Sequence, residues 1–181
     1  MFGVINTYAD LFKNESLARL EPTNEVVMQR VHYFKERGML EVSEDQLTVR
    51  LAKTDDASTL LDFFSGLIFP LMDTYLITLA AIEQLCGKNL VMKKKTLVRE
   101  LHVGIKFLYS QGDIPMLHSC IKETISTALA RFAELGLLET TSYLTKKGSS
   151  TVFLRCTLES RPRIRGLLQR LTKDRAFSQQ H

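Results

Sequence analysis

His32, His102, His118 and His181 are the first places to look for acid–base chemistry, because histidine changes charge near neutral pH. A histidine that takes a proton from a hydroxyl needs a carboxylate to orient it, and the HxxxxD spacing supplies one. No histidine here is followed at the fifth position by an aspartate. The metal-ligand spacings HxxxH and HExxH are absent. So are GxSxG, GxGxxG and GxxxxGK[ST], the patterns of nucleophile elbows and phosphate cradles. Cys86, Cys120 and Cys156 are odd in number, widely spaced and not in CxxC form. They read as reduced thiols, and a zinc site is disfavoured. The sequence thus offers no catalytic set, no cofactor-binding set and no metal site.

What remains is charge. Residues 1–92 carry 8 Lys/Arg against 13 Asp/Glu, and residues 93–181 carry 16 against 7. A basic half suggests a phosphate-rich surface or an acidic partner; the plainer alternative is that the two halves attract each other. Lys93, Lys94 and Lys95 form a run at a helix start, which is either a solvated patch or a contact for anionic head groups. With Arg161, Arg163, Arg165 and Arg170 they make a candidate basic face for membrane or partner contact. Asp73, beside Tyr75 in apolar surroundings, is expected to pair with an arginine or to cap a kinked turn. The start lacks a basic region before an apolar one, so no signal peptide is read. The end, "FSQQH", is not a peroxisomal address.

These residues need elements to hold them. With 45% hydrophobic and 24% charged residues, the 181-residue chain is globular, one domain or two small ones. A short amphipathic helix is expected over 4–18, and a second one after an N-cap at Thr23 or Asn24, ending at Gly38. Two short strands follow around Ser43-Glu44-Asp45-Gln46, and then a polar joint with Asp55 or Asp56 as a cap. The stretch 57–86 is the most apolar and would just span a bilayer. Asp73 at its centre would cost ~2.5–3.5 kcal/mol there. A central core helix with a kink at Pro70 is therefore preferred. A helix from Lys94 or Lys95 to Tyr109 comes next, with Leu97, Leu101, Ile105 and Leu108 on one face. A long helix bearing Ile121, Ile125, Leu129, Phe132 and Leu135 ends at Gly136. Two strands around "KKGS" and a basic helix with Pro162 in its first turn close the chain. The division expected is 1–53, 54–177 and a frayed tail 178–181.

One phrase occurs twice. "YFKERGMLE" (33–41) and "RFAELGLLE" (131–139) share Phe, Glu, Gly, Leu and Glu in register. Gly38 and Gly136 fit the C′ position, where a left-handed backbone closes a helix. Leu40 and Leu138 would then fold back towards Phe34 and Phe132. A helix leading into a two-stranded wing is also how winged-helix modules end. Neither helix start is basic, however, so nucleic-acid binding is disfavoured.

The middle and end of the chain resemble the C-terminal region of the glycerol-3-phosphate and dihydroxyacetone-phosphate acyltransferases. The likeness rests on "LF-x-NE" in "DLFKNESL" and on "L-x-P-x-x-(D/E)-x-Y", met by Leu67 or Phe69, Pro70, Asp73 and Tyr75. Phe132, Gly136 and Leu137 match the family's later helix end, and the resemblance covers roughly residues 8–172. It implies a mostly α (α+β) fold: a helical domain with a long apolar central helix, two small β-hairpins and winged-helix-like helix-to-hairpin units. It implies a non-catalytic domain, because the family's HxxxxD block and phosphate-binding arginines belong upstream. The implied partners are an acyltransferase catalytic domain, in cis or in trans, and an anionic membrane surface. The implied location is cytosol-facing, on the mitochondrial outer membrane or the endoplasmic reticulum. No cofactor is implied. The alternatives are a winged-helix interaction or nucleic-acid module and, last, a complete enzyme.

Overall fold

The computed structural model describes residues 11–12, 24–43, 48–86, 91–114, 119, 121–144 and 150–178. Among them the order is α1 (Asn24–Glu36), β1 (Leu40–Val42), β2 (Val49–Leu51), α2 (Asp55–Cys86), β3 (Val91–Lys93), α3 (Lys94–Gln111), α4 (Lys122–Glu134), β4 (Glu139–Leu144), β5 (Ser150–Arg155) and α5 (Arg161–Ser178). The protein is mostly α with two small antiparallel sheets and one long apolar helix, as the periodicities predict. The helix expected over 4–18 lies outside the described residues apart from Leu11 and Phe12. So do both turn centres and the last three residues of the tail. The chain divides into two compact units, residues 1–68 and 69–181, with the boundary inside α2 beside Pro70.

In the first unit, α1 buries Val31 and half-buries Phe34, three residues on along the same face. It ends where Gly38 takes a φ of 66°. The Gly38 N–H then donates to the Lys35 carbonyl and the Met39 N–H to the Phe34 carbonyl, both at 2.9 Å, which is a Schellman cap. The chain turns straight into β1, which pairs antiparallel with β2 through Leu40↔Leu51 and Val42↔Val49. Ser43 holds the mouth of that hairpin: its Oγ accepts from the Thr48 N–H at 2.9 Å. The cap of α2 is Thr54, not Asp55 or Asp56, because Thr54 Oγ1 accepts the Ala57 N–H at 3.2 Å. The two aspartates occupy the first turn, where the helix dipole favours negative charge.

In the second unit, α2 continues unbroken through Pro70. Proline has no N–H, so one ladder bond is missing there. Thr74 Oγ1 lies 2.8 Å from the Pro70 carbonyl and 2.9 Å from that of Ser119, and its single proton serves both. Tyr75, Leu79, Ile82 and Cys86 form the buried stripe of this helix, at three- and four-residue steps. Leu97, Leu101 and Ile105 of α3 and Ile125, Ala128, Leu129 and Phe132 of α4 are also buried. Helix α4 starts later than the apolar pattern suggests. Ile121 is its extended cap residue, with φ −88° and ψ 123°, and is exposed.

One expectation is extended and one needs correction. The second hairpin is part of a three-stranded sheet of order β3-β5-β4, with Met92↔Leu154 and Thr140↔Leu154 in register. Strand β3 has only three residues, too few for an alternation to be legible beside the lysine run. Cys86 and Cys156, read as separate reduced thiols, are joined as a disulfide with Cα atoms 4.9 Å apart. They lie 70 residues apart in sequence, and the end of α2 meets the end of β5 only in the fold. With β3, α3 and α4 preceding the β4–β5 hairpin, and β3 pairing with β5, this unit has the order of a winged helix.

Candidate functional site

Strand β3 runs into α3 with no connecting residue, so the lysine run is divided between them. Lys93 ends the strand and, with φ −64° and ψ 130°, is also the cap residue of α3. Its ammonium stands 6.0 Å from the ring centre of Phe153, its cross-strand partner on β5. Lys94 and Lys95 occupy the first helical turn, which holds no acidic residue. The first turn of α4 brings Lys122 to the same place. Together with Arg99 these lysines line a cleft of about 790 Å³ whose far wall is Ser150, Thr151 and Val152 of β5. Among the described residues the lining holds five cations and no carboxylate. Among the described residues, Arg99 is the one of these five with an acidic partner, Glu100, with 2.9 Å from Nη2 to Oε1.

The arginines of the expected basic face do not line this cleft. Arg161 and Arg165, one turn apart on α5, both donate from Nε to one oxygen of Glu83 on α2, at 2.9 and 2.7 Å. Hydrogen bonds from Arg165 and then Arg161 hold the Glu83 carboxyl below its ordinary value of 4.5, against a smaller opposing effect of burial. Arg163 donates from Nη2 to the Leu135 carbonyl at 2.9 Å, placing a cation at the end of α4 where the helix dipole favours one. Arg170 is exposed on α5. The seven residues therefore fall into two sets: three lysines at a cleft, and an arginine helix whose charges largely serve packing. Lys122 and Arg99 complete the lysine set. No local signal marked them, because what joins them to 93–95 is the packing of α3 beside α4.

Of the residues behind the resemblance, Pro70, Asp73, Tyr75, Phe132 and Leu137 are buried, and none of these five lines the cleft. Tyr75 and Phe132 are fully buried and stack edge to face, with centroids 5.6 Å apart and ring planes at 78°. Gly136 has a φ of 67°, and its cap repeats that of Gly38: Gly136 N–H to Ala133 O and Leu137 N–H to Phe132 O, each 2.9 Å. Asp73 is buried, at 7% exposure. The model of the glycerol-3-phosphate acyltransferase C-terminal region matches residues 2–141. The chain belongs to that family. No curated protein matches it. The match covers α1 to the start of β4 and ends before β5 and α5, so it is shorter at that end than the 8–172 read from spacing.

Within the acyltransferase C-terminal region, Gly66–Cys86 is long and apolar enough to cross a membrane by length and composition, with mean hydropathy 1.4. Asp73, Thr74 and Thr78 share its buried side with Tyr75 and Leu79. Glu83, further along, is held by two arginines of α5. Of that window 44% is buried, and Leu67 and Ile68 near its start are exposed. His102 is half-buried on α3 and His32 exposed on α1, while His118 and His181 lie outside the described residues. Among the described residues no three His, Cys, Asp or Glu side chains cluster as a metal site would require.

Proposed function

We propose that this chain is the non-catalytic C-terminal domain of a glycerol-3-phosphate acyltransferase-like protein of phospholipid or triacylglycerol synthesis. It packs on a catalytic domain, in cis or in trans, and holds that domain at a membrane surface. The family match over residues 2–141 carries this reading, together with a sequence that lacks HxxxxD. The working module is 54–177, with α2 as its spine. An apolar groove of about 450 Å³ beside Ile77, Ala81, Leu101 and Phe107 is a suitable seat for a partner domain. Phe107 and Val103, 62% and 60% exposed, extend its apolar character outward. Of the expected basic face, Lys93, Lys94, Lys95 and Arg170 face anionic lipid or the acidic part of the partner, while Arg161, Arg163 and Arg165 hold α5 against Glu83 and the end of α4. The proposed location is cytosol-facing, on the mitochondrial outer membrane or the endoplasmic reticulum. In that reducing setting the Cys86–Cys156 bond would be open to reduction to two neighbouring thiols.

The test is reconstitution. The chain alone should transfer no acyl group from acyl-CoA to glycerol 3-phosphate. A separately expressed catalytic domain of the family should co-purify with it and gain activity or thermal stability. Absence of any complex with such domains would sink the reading. Flotation with anionic liposomes at low salt checks the membrane half. A second reading, a winged-helix nucleic-acid module, is favoured by the strand and helix order of the second unit and its basic cleft. It predicts a gel shift with generic duplex that weakens steeply as salt rises.

A further inference from the structure

We propose that the cleft between the starts of α3 and α4 and strand β5 is a binding site for a small ligand carrying phosphoryl groups. The site begins from a charge that the fold leaves uncompensated. Among the described residues, no carboxylate is ion-paired with Lys93, Lys94, Lys95 or Lys122. The contrast lies in the same unit, where two arginines 82 and 78 residues from Glu83 in sequence converge on its one carboxylate. Lysines that only solvate a surface spread apart. These four are gathered from two helix starts and a strand end around a concavity.

Their position sharpens the point. The first turn of a helix carries partial positive charge, so cations there are disfavoured and anions favoured. Helix α3 has lysines at its cap and first two positions, no acid in that turn, and no side chain capping its N–H groups. The start of α4 likewise has no side-chain cap. Each placement costs stability in the empty protein, and a bound anion would relieve all of them at once.

The cleft also has the shape and the neutral donors of a ligand site. Its volume of about 790 Å³ lies within the ordinary range for small-molecule pockets. Hydroxyls of Thr96, Ser126 and Thr151 come from three different elements and supply uncharged donors between the cations. Lysine binds phosphate as a compact point charge with three donors. Cations arriving from three elements suit several phosphoryl oxygens better than a single carboxylate. A duplex is a poorer fit, because Lys122 is the one exposed cation of α4 and an exposed carboxylate, Glu123, shares its first turn. The inference rests on the basic-face part of the proposed function, for Lys93, Lys94 and Lys95, and needs no catalytic domain.

The test titrates the full chain with pyrophosphate at constant ionic strength, with sulfate as the control. Saturable pyrophosphate binding is expected, weakened about tenfold or more by Lys122→Glu or Lys94→Glu. Lys106→Glu makes the same change of net charge on the exposed side of α3 and should leave the affinity unchanged. Circular dichroism confirms that each variant is folded. Phosphatidylcholine vesicles containing either phosphatidic acid or phosphatidylserine identify the source of the phosphate. Competition between pyrophosphate and phosphatidic acid vesicles assigns the site to a lipid head group. Pyrophosphate binding without vesicle binding assigns it to a soluble phosphate ester, and removes the membrane part of the proposed function while the site stands. The proposal is overturned if sulfate matches pyrophosphate, if Lys106→Glu weakens binding as much as Lys122→Glu, or if a DNA duplex binds through Lys122 and pyrophosphate does not.

Discussion

The phrases at 33–41 and 131–139 build the same local object. In each, a phenylalanine carbonyl accepts the N–H that follows a left-handed glycine, and a strand starts within the next two residues. Their surroundings differ. Phe34 is half-buried and its neighbour Tyr33 lies edge-on to it at 5.3 Å, 43% exposed under the guanidinium of Arg37. Phe132 is fully buried against Tyr75, and Leu137 and Leu138 after it are buried too. Met39 and Leu40, their counterparts, are only half-buried. Nine residues are enough to write a helix stop, because the stop is made of hydrogen bonds three to five residues long. They do not determine how much that stop contributes to stability, since that depends on what the rest of the chain packs over it.

Substitutions can break this comparison. Phe132→Ala should destabilise by about 3–5 kcal/mol, the range for emptying a fully buried aromatic site. Phe34→Ala should cost roughly 1–2 kcal/mol, because less apolar area leaves water there. Equal losses in urea denaturation would mean that the two copies carry equal weight. Next in size is the covalent tie that follows the second copy. Closing a long loop is worth about 2–4 kcal/mol, so Cys86→Ser should lower the melting temperature more under oxidising conditions than under reducing ones, where only the buried hydroxyl counts. Thiol titration of the denatured, oxidised chain should find only Cys120 reactive; three reactive thiols would show that the pair is not bonded.

Gly38→Ala and Gly136→Ala should each cost about 1 kcal/mol and, unlike the phenylalanines, should cost the same. Both glycines have the same positive φ. A methyl group at Gly136 would meet only Arg163 Nη1 at 3.7 Å, an ordinary contact, and one at Gly38 would meet nothing. A clear difference between them would mean that packing reaches even the cap. The smallest effect belongs to Glu83. Its pKa is lower in the folded chain than in the unfolded one, so its contribution is complete above its ordinary value of 4.5. That contribution is lost as the pH falls below 4.5 through the depressed value. Glu83→Gln should flatten the acid side of the stability profile and leave it unchanged in shape above pH 5.

Much of this was legible in the sequence. The helix faces, the glycine stops, the two hairpins and the long apolar helix follow from periodicity and from residues with restricted backbones. Of the residues behind the resemblance, Pro70, Asp73, Tyr75, Phe132 and Leu137 are buried and Gly136 closes a helix, while Leu67 is exposed and the end of the LF-x-NE stretch lies outside the described residues. The site was half legible: the lysine run was visible as charge, but its partners at Arg99 and Lys122 were not. The arginines of α5 read in the sequence as more of the same surface, but Glu83 and the Leu135 carbonyl stand against three of them.

By itself the sequence settled whatever depends on neighbours within about one helical turn: where helices run and stop, which faces are apolar, and that no HxxxxD motif is present. Only the tertiary structure decided the Cys86–Cys156 bond, the addition of β3 to β5, and which cations are neutralised and which are left around a cleft. The reason is the range of the forces. Backbone hydrogen bonds and side-chain periodicity act along the chain and leave a pattern in it. Pairing between groups some 30 to 80 residues apart leaves no such pattern, and it exists only once packing has brought the groups together.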